Sequence, residues 1–145
     1  MFIGELKFEP LKGVPGEFVL LDSWTWVHSD FGRIEIPAGF ITDFASTPQV
    51  LRAFPLFDPT RGSLFGALPH DWLYCIQDRS RAECDEVLRA ALIDGGMGRI
   101  AAGIYWASVR AGGWVPWNRR LKHGGGARVD DFEDAESYVK WKSSL

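Results

Sequence analysis

The chain has 145 residues, a length that fits one domain built around one hydrophobic core. Hydrophobic residues make up 46% and charged residues 24%, the balance typical of a globular domain. A net charge of −3 excludes a global basic surface for nucleic acid, and no apolar stretch reaches the ~18–20 residues that span a bilayer. We therefore expect no nucleic-acid partner and no transmembrane segment.

The first residues and the cysteines indicate a compartment. Residues 1–7 lack the basic and apolar regions of a signal peptide. Cys75 and Cys84 are too few for a disulfide scaffold, and we expect buried free thiols. These features predict synthesis in the cytoplasm, while later association with an assembled particle stays open.

Residues 1–44 carry the signals of an antiparallel sheet. β-Branched and aromatic residues or period-two alternation predict extended chain over residues 2–8, 17–28, 33–36 and 40–44. A bend is expected near Asp22 and Ser23, and Ser29 to Gly32 is predicted to form a hairpin turn.

Residues 45–112 form the predicted helical part. The predicted helices cover roughly 48–54, 68–76, 81–93 and 97–111. Pro69 is expected in the first turn of its helix, and Ser80 with Glu83 matches a capping box.

Residues 113–145 are predicted to form a basic, aromatic loop followed by a short helix over 130–142. Trp114, Trp117 and this loop are candidates for binding other proteins, and a solvated basic loop is the competing interpretation. The chain as a whole is predicted to be a single α+β domain, with an N-terminal antiparallel sheet followed by a bundle of about three helices.

The candidate site lies on the two helices joined by residues 77–80. Such a short link makes the helices antiparallel neighbours, and the register places His70 opposite Asp85. Tyr74 shares a helix face with His70. We predict one hydrogen-bonded cluster of these three residues, with Asp71 turned partly toward a cation or solvent. A purely structural network between the two helices is the competing interpretation.

Asp43 is a second candidate for binding a cation. It lies between an extended segment and the next predicted helix, where functional residues often occur. A local turn or helix cap formed by Asp43 and Ser46 is the competing interpretation.

Three motifs that occur in order resemble those of a family of small uncharacterised proteins of tailed bacteriophages and prophages. They are PAGFITDFASTP at 37–48, HDWLY at 70–74 and RAECD at 81–85, and they are followed by a late helix with Tyr105. The resemblance covers most of the chain. It implies a phage or prophage origin and no specific activity. It also implies synthesis in the host cytoplasm, and it makes other phage proteins the expected partners of Trp114, Trp117 and the basic, aromatic loop.

A shorter resemblance covers about twenty residues. The HD-x-x-Y pattern at 70–74 and the later Cys84 and Asp85 are similar to the active-site helices of secreted phospholipases of the A-two type. The resemblance implies that His70 is general base to a water, that Asp71 binds calcium, and that Asp85 and Tyr74 orient the histidine. The Gly-rich calcium loop of those enzymes has no counterpart in this sequence.

Two functions follow as alternatives. One is a hydrolase-like phage protein whose His/Asp site activates water, assisted by a divalent cation, on a lipid ester or a cell-envelope bond. The other is a non-enzymatic virion or assembly component in which the cluster of His70, Tyr74 and Asp85 is structural.

Overall fold

The computed structural model describes residues 1–44, 61–123 and 128–144. The strands are β1 (Phe2–Ile3), β2 (Phe8–Pro10), β3 (Phe18–Leu20), β4 (Trp24–His28), β5 (Gly32–Ile36) and β6 (Ile41–Thr42). The helices are α1 (Arg61–Ile76), α2 (Arg81–Asp94), α3 (Arg99–Gly112), α4 (Trp114–His123) and α5 (Ala135–Ser144), with a 3-10 turn at Val129–Asp131. Antiparallel strands followed by helices confirm the predicted α+β class.

The strands form two small antiparallel sheets. Their strand orders are β1-β4-β5 and β2-β3-β6. The strand predicted over residues 2–8 is wrong in extent, because Gly4 adopts a φ of +90° and the chain leaves one sheet before joining the other. The expected bend near Asp22 separates β3 from β4, and the predicted hairpin joins β4 to β5 with Gly32 at a φ of +73°.

The α1 helix begins earlier than predicted, so Pro69 lies inside it rather than in its first turn. An interior proline costs a helix about 3 kcal/mol. Burial outweighs this cost, because Leu68 and Pro69 are fully enclosed by the surrounding core. The helix predicted over residues 48–54 lies outside the described residues.

The α2 helix begins where the sequence predicts. The backbone N–H of Glu83 donates to Ser80 Oγ at 3.3 Å, and the Glu83 carboxylate accepts from the backbone N–H of Ser80 at 3.0 Å. This capping box satisfies N–H groups that have no partner within the helix.

The prediction of a basic, aromatic loop from residue 113 is wrong over residues 114–123, because these residues form α4. Gly113 allows this close succession of helices, since a Cβ there would lie 2.7 Å from the Tyr74 hydroxyl and 2.6 Å from the Val109 carbonyl oxygen. The C-terminal helix α5 then returns to the sheets, where Tyr138 packs against Ile41.

The main core lies between the β1-β4-β5 sheet and the α1–α2 pair. Its fully buried members include Trp24, Trp26, Ile36, Leu68, Leu73 and Val87. No helix in the described parts of the chain has the length and apolar character needed to cross a membrane.

Gly66 sets how closely α1 approaches α2, which yields a first prediction. A Cβ at this position would lie 2.5 Å from the Leu92 side chain and 3.0 Å from its backbone nitrogen. Gly66→Ala should therefore lower the free energy of unfolding by about 1–3 kcal/mol, the usual cost of overpacking. Gly112→Ala is the matched control, because nothing lies within 4 Å of its added Cβ. Equal denaturation midpoints for the two variants would contradict this account.

Candidate functional site

His70, Tyr74 and Asp85 meet between α1 and α2. His70 Nε2 lies 3.1 Å from Asp85 Oδ1, and the Tyr74 hydroxyl donates to the same oxygen at 2.5 Å. The two rings on α1 lie against each other with centroids 4.1 Å apart. The predicted contact between His70 and Asp85 is confirmed, while the catalytic role of the cluster stays a prediction.

Two arginines that the sequence analysis missed complete the surroundings of Asp85. Arg110 Nη1 of α3 donates to Asp85 Oδ2 at 2.8 Å, and Arg81 Nη1 lies 3.4 Å from the same oxygen. Arg81 also donates to the Arg110 carbonyl oxygen at 3.3 Å. Arg81 was recognisable from its i,i+4 spacing to Asp85, whereas Arg110 has no local signal because it approaches through tertiary packing.

The electrostatics of the cluster favour a charged pair. Asp85 is 0% and His70 is 3% exposed. Burial alone would raise the pKa of Asp85, but hydrogen bonds from His70, Tyr74 and Arg110 outweigh it and lower that pKa. Burial would likewise lower the pKa of His70, but hydrogen bonds to Asp71 and Asp85 outweigh it and raise that pKa. Burial and the nearby Asp85 raise the pKa of Tyr74, so its phenol remains a neutral donor.

Asp71 connects the cluster to the sheet. Its Oδ1 lies 3.8 Å from His70 Nδ1, and its Oδ2 accepts a hydrogen bond from Thr42 Oγ1 at 2.7 Å. The Thr42 hydroxyl also accepts a hydrogen bond from the backbone N–H of Phe44. The backbone of Phe44 has a φ of +50°. The Asp71 side chain is 17% exposed, so it is the more accessible of the two aspartates that flank His70.

Asp43 lies beside Thr42 and contacts a different element. Its Oδ2 is 3.3 Å from Lys142 Nζ of α5, and Lys142 also pairs with the buried Glu17. Within residues 1–44, 61–123 and 128–144, no group of three or more His, Cys, Asp or Glu side chains is arranged to hold a metal ion. The competing cap with Ser46 involves a residue outside those ranges. The cation site at Asp71 and Asp43 stays a prediction.

The other residues that the sequence singled out are two tryptophans and two cysteines. Trp117 packs edge-on against Tyr74 with ring centroids 5.0 Å apart, whereas Trp114 is 56% exposed. The free thiols of Cys75 and Cys84 are buried as predicted. Burial raises the pKa of the Cys84 thiol to about 12, so this sulfur is a poor nucleophile.

The charged pair predicts a specific dependence of stability on pH. Because folding raises the pKa of His70, its contribution is complete below the unfolded value of about 6.5 and is lost as pH rises through the folded value. Because folding lowers the pKa of Asp85, its contribution is present above about pH 4 and is lost as pH falls through the folded value.

We therefore expect His70→Gln to lower the free energy of unfolding by about 1–3 kcal/mol near pH 6, with a smaller loss at alkaline pH. Denaturant titrations at several pH values measure the difference from wild type. His28→Gln is the control, since it removes a histidine outside the cluster. A difference that widens as pH rises would contradict the charged pair.

Comparison with known proteins places the chain in a family. A family model described as "Protein of unknown function (DUF1353)" matches residues 18–109. No curated protein and no solved structure matched the chain. The matched range is more than half of the chain and contains His70, Asp71, Tyr74 and Asp85. The chain belongs to this family of proteins of unknown function.

Proposed function

We propose that this protein is a phage or prophage hydrolase in which His70 activates a water molecule. The observation that supports the proposal is the orientation of the imidazole. Asp85 Oδ1 is the hydrogen-bond partner of both His70 Nε2 and the Tyr74 hydroxyl. The other imidazole nitrogen, His70 Nδ1, therefore lies on the side of Asp71. A histidine whose one nitrogen is fixed by a buried carboxylate is oriented to exchange a proton through the other.

Each neighbour has a defined role in this mechanism. His70 removes a proton from water through Nδ1, and Asp85 stabilises the imidazolium that forms. Tyr74 fixes the carboxylate by donating to Oδ1, while Arg110 and Arg81 hold Oδ2. Because the pKa of His70 is raised, the neutral base forms only above that pKa, and the rate should rise with pH.

A divalent cation at Asp71, calcium by resemblance, would polarise the bond under attack. Carboxylate oxygens are the hard ligands that calcium prefers, and Asp71 is partly exposed beside His70. One carboxylate oxygen of Asp71 already accepts a hydrogen bond from the Thr42 hydroxyl. The carboxylate of Asp43 accepts a hydrogen bond from Lys142. The described residues therefore supply only part of a ligand set.

The substrate class and origin follow from the two resemblances. The phospholipase-like pattern favours a lipid ester, and a phage origin also admits a cell-envelope bond. The phage or prophage origin rests on the three ordered motifs at 37–48, 70–74 and 81–85. A phage protein of this kind would be synthesised in the host cytoplasm.

Removal of the base tests the mechanism. His70→Gln should reduce hydrolysis by about 10²-fold or more, because the proton acceptor is lost, while circular dichroism shows a folded protein. His28→Gln should retain the wild-type rate. The assay uses phospholipid esters and peptidoglycan fragments with calcium, magnesium or zinc. No turnover by wild type under any of these conditions would refute the hydrolase.

The cation is tested separately. Calorimetric titration of wild type with calcium should give binding heat, and Asp71→Asn should abolish it because one ligand charge is lost. Asp78→Asn is the matched control, since it removes an exposed carboxylate from the link that follows α1. Identical traces for wild type and Asp71→Asn, with calcium, magnesium and zinc, would exclude this site.

A non-enzymatic virion or assembly component is the second candidate. It is supported by the burial of His70 and Asp85 and by the two arginines that balance the Asp85 carboxylate. Such a buried, balanced network ties helices together without any chemistry. In this case His70→Gln affects stability alone, and assembly fails only to the extent that the protein unfolds.

A further inference from the structure

One face of α3 is apolar and exposed. Ile100 is 83% and Ile104 is 47% exposed, and Ala107 and Ala111 are exposed on the same face. We call these four residues the α3 stripe. The opposite face is buried through Ala102, Tyr105 and Val109. A helix that buries one face in its own core and presents a second apolar face has a surface suited to another helix.

The α3 stripe is complementary to itself. When two copies of a helix pack antiparallel about a two-fold axis, residue i faces residue j and j faces i. A stripe centred between residues 105 and 106 pairs Ile100 with Ala111 of the second copy, and Ile104 with Ala107. Each large side chain then meets a small one, in both directions.

The backbone and the charges at the helix ends favour the same arrangement. Nothing lies within 4 Å of a Cβ built on Gly103, so a second helix has room to approach closely. Arg99 is the first residue of α3, the end at which a positive charge opposes the helix dipole. In an antiparallel pair Arg99 lies near the C-terminus of the other α3, where a cation is favourable. Arg110 is already paired with Asp85.

We propose that the α3 stripe is the contact surface of a two-fold dimer of this chain. The fourteen residues of α3 extend about 21 Å. One helix face buries less than the ~800 Å² per partner of a standard stable interface. The dimer is therefore weak and depends on concentration, with a dissociation constant in the micromolar range or above.

Exchange of the large and small residues tests the register. Ile104→Ala leaves two small residues facing each other, and Ala107→Ile makes two isoleucines collide. Each change occurs twice in the dimer and should raise the dissociation constant about tenfold. The double variant I104A/A107I restores large against small, and its constant should return to within about threefold of wild type. Sedimentation equilibrium over a concentration series measures all four proteins.

Charge insertion gives a second measurement. Ile104→Arg should abolish the dimer, whereas Leu21→Arg, at an exposed leucine of the sheet region, should leave it unchanged. A wild-type monomer at every concentration would overturn the proposal. A dimer that Ile104→Arg leaves intact, or a double variant as weak as the single variants, would also overturn it. Wild-type monomers that float with phosphatidylglycerol vesicles would assign the α3 stripe to a lipid surface instead.

Discussion

The packing of three helices depends on the buried negative charge of Asp85. An uncompensated charge in the interior costs several kcal/mol, and removal of one partner of a buried pair is strongly destabilising. This carboxylate is compensated by His70 and Tyr74 from α1, Arg81 from α2 and Arg110 from α3. The charge is therefore tolerated only when all three helices are in register, so the same contacts that fold the helical part also fix the imidazole.

This compensation also limits the chemistry that His70 can perform. The two carboxylates beside it favour the imidazolium and raise its pKa, which reduces the fraction of neutral base at neutral pH. The contacts that orient the imidazole of His70 are therefore the same contacts that reduce the fraction of it present as a neutral base. A hydrolase built on this cluster gains a well-positioned base but works best on the alkaline side, whereas a structural lock is strongest on the acid side. The two candidate functions differ in the sign of their dependence on pH.

Local signals were sufficient for part of the fold and of the site. The start of α2 follows from the capping box at Ser80, and the contact between His70 and Asp85 follows from a four-residue link and helical periodicity. The interior position of Pro69 was not predictable, because burial in the tertiary structure outweighs local propensity. Arg110 was missed for the same reason, since it lies 25 residues from Asp85 and meets it only after α3 has packed.

The residues that position the cluster are not confined to the range that the family model matches. Thr42 and Asp71, inside residues 18–109, connect β6 to His70. Beyond residue 109, Arg110 binds Asp85, Trp117 packs on Tyr74, and Lys142 of α5 holds Asp43 next to Thr42. The matched range thus contains the groups capable of chemistry, while part of their packing and charge balance comes from the C-terminal segment. The position of His70 therefore depends on the whole helical part, because its partner Asp85 contacts residues within the matched range 18–109 and also Arg110 beyond it.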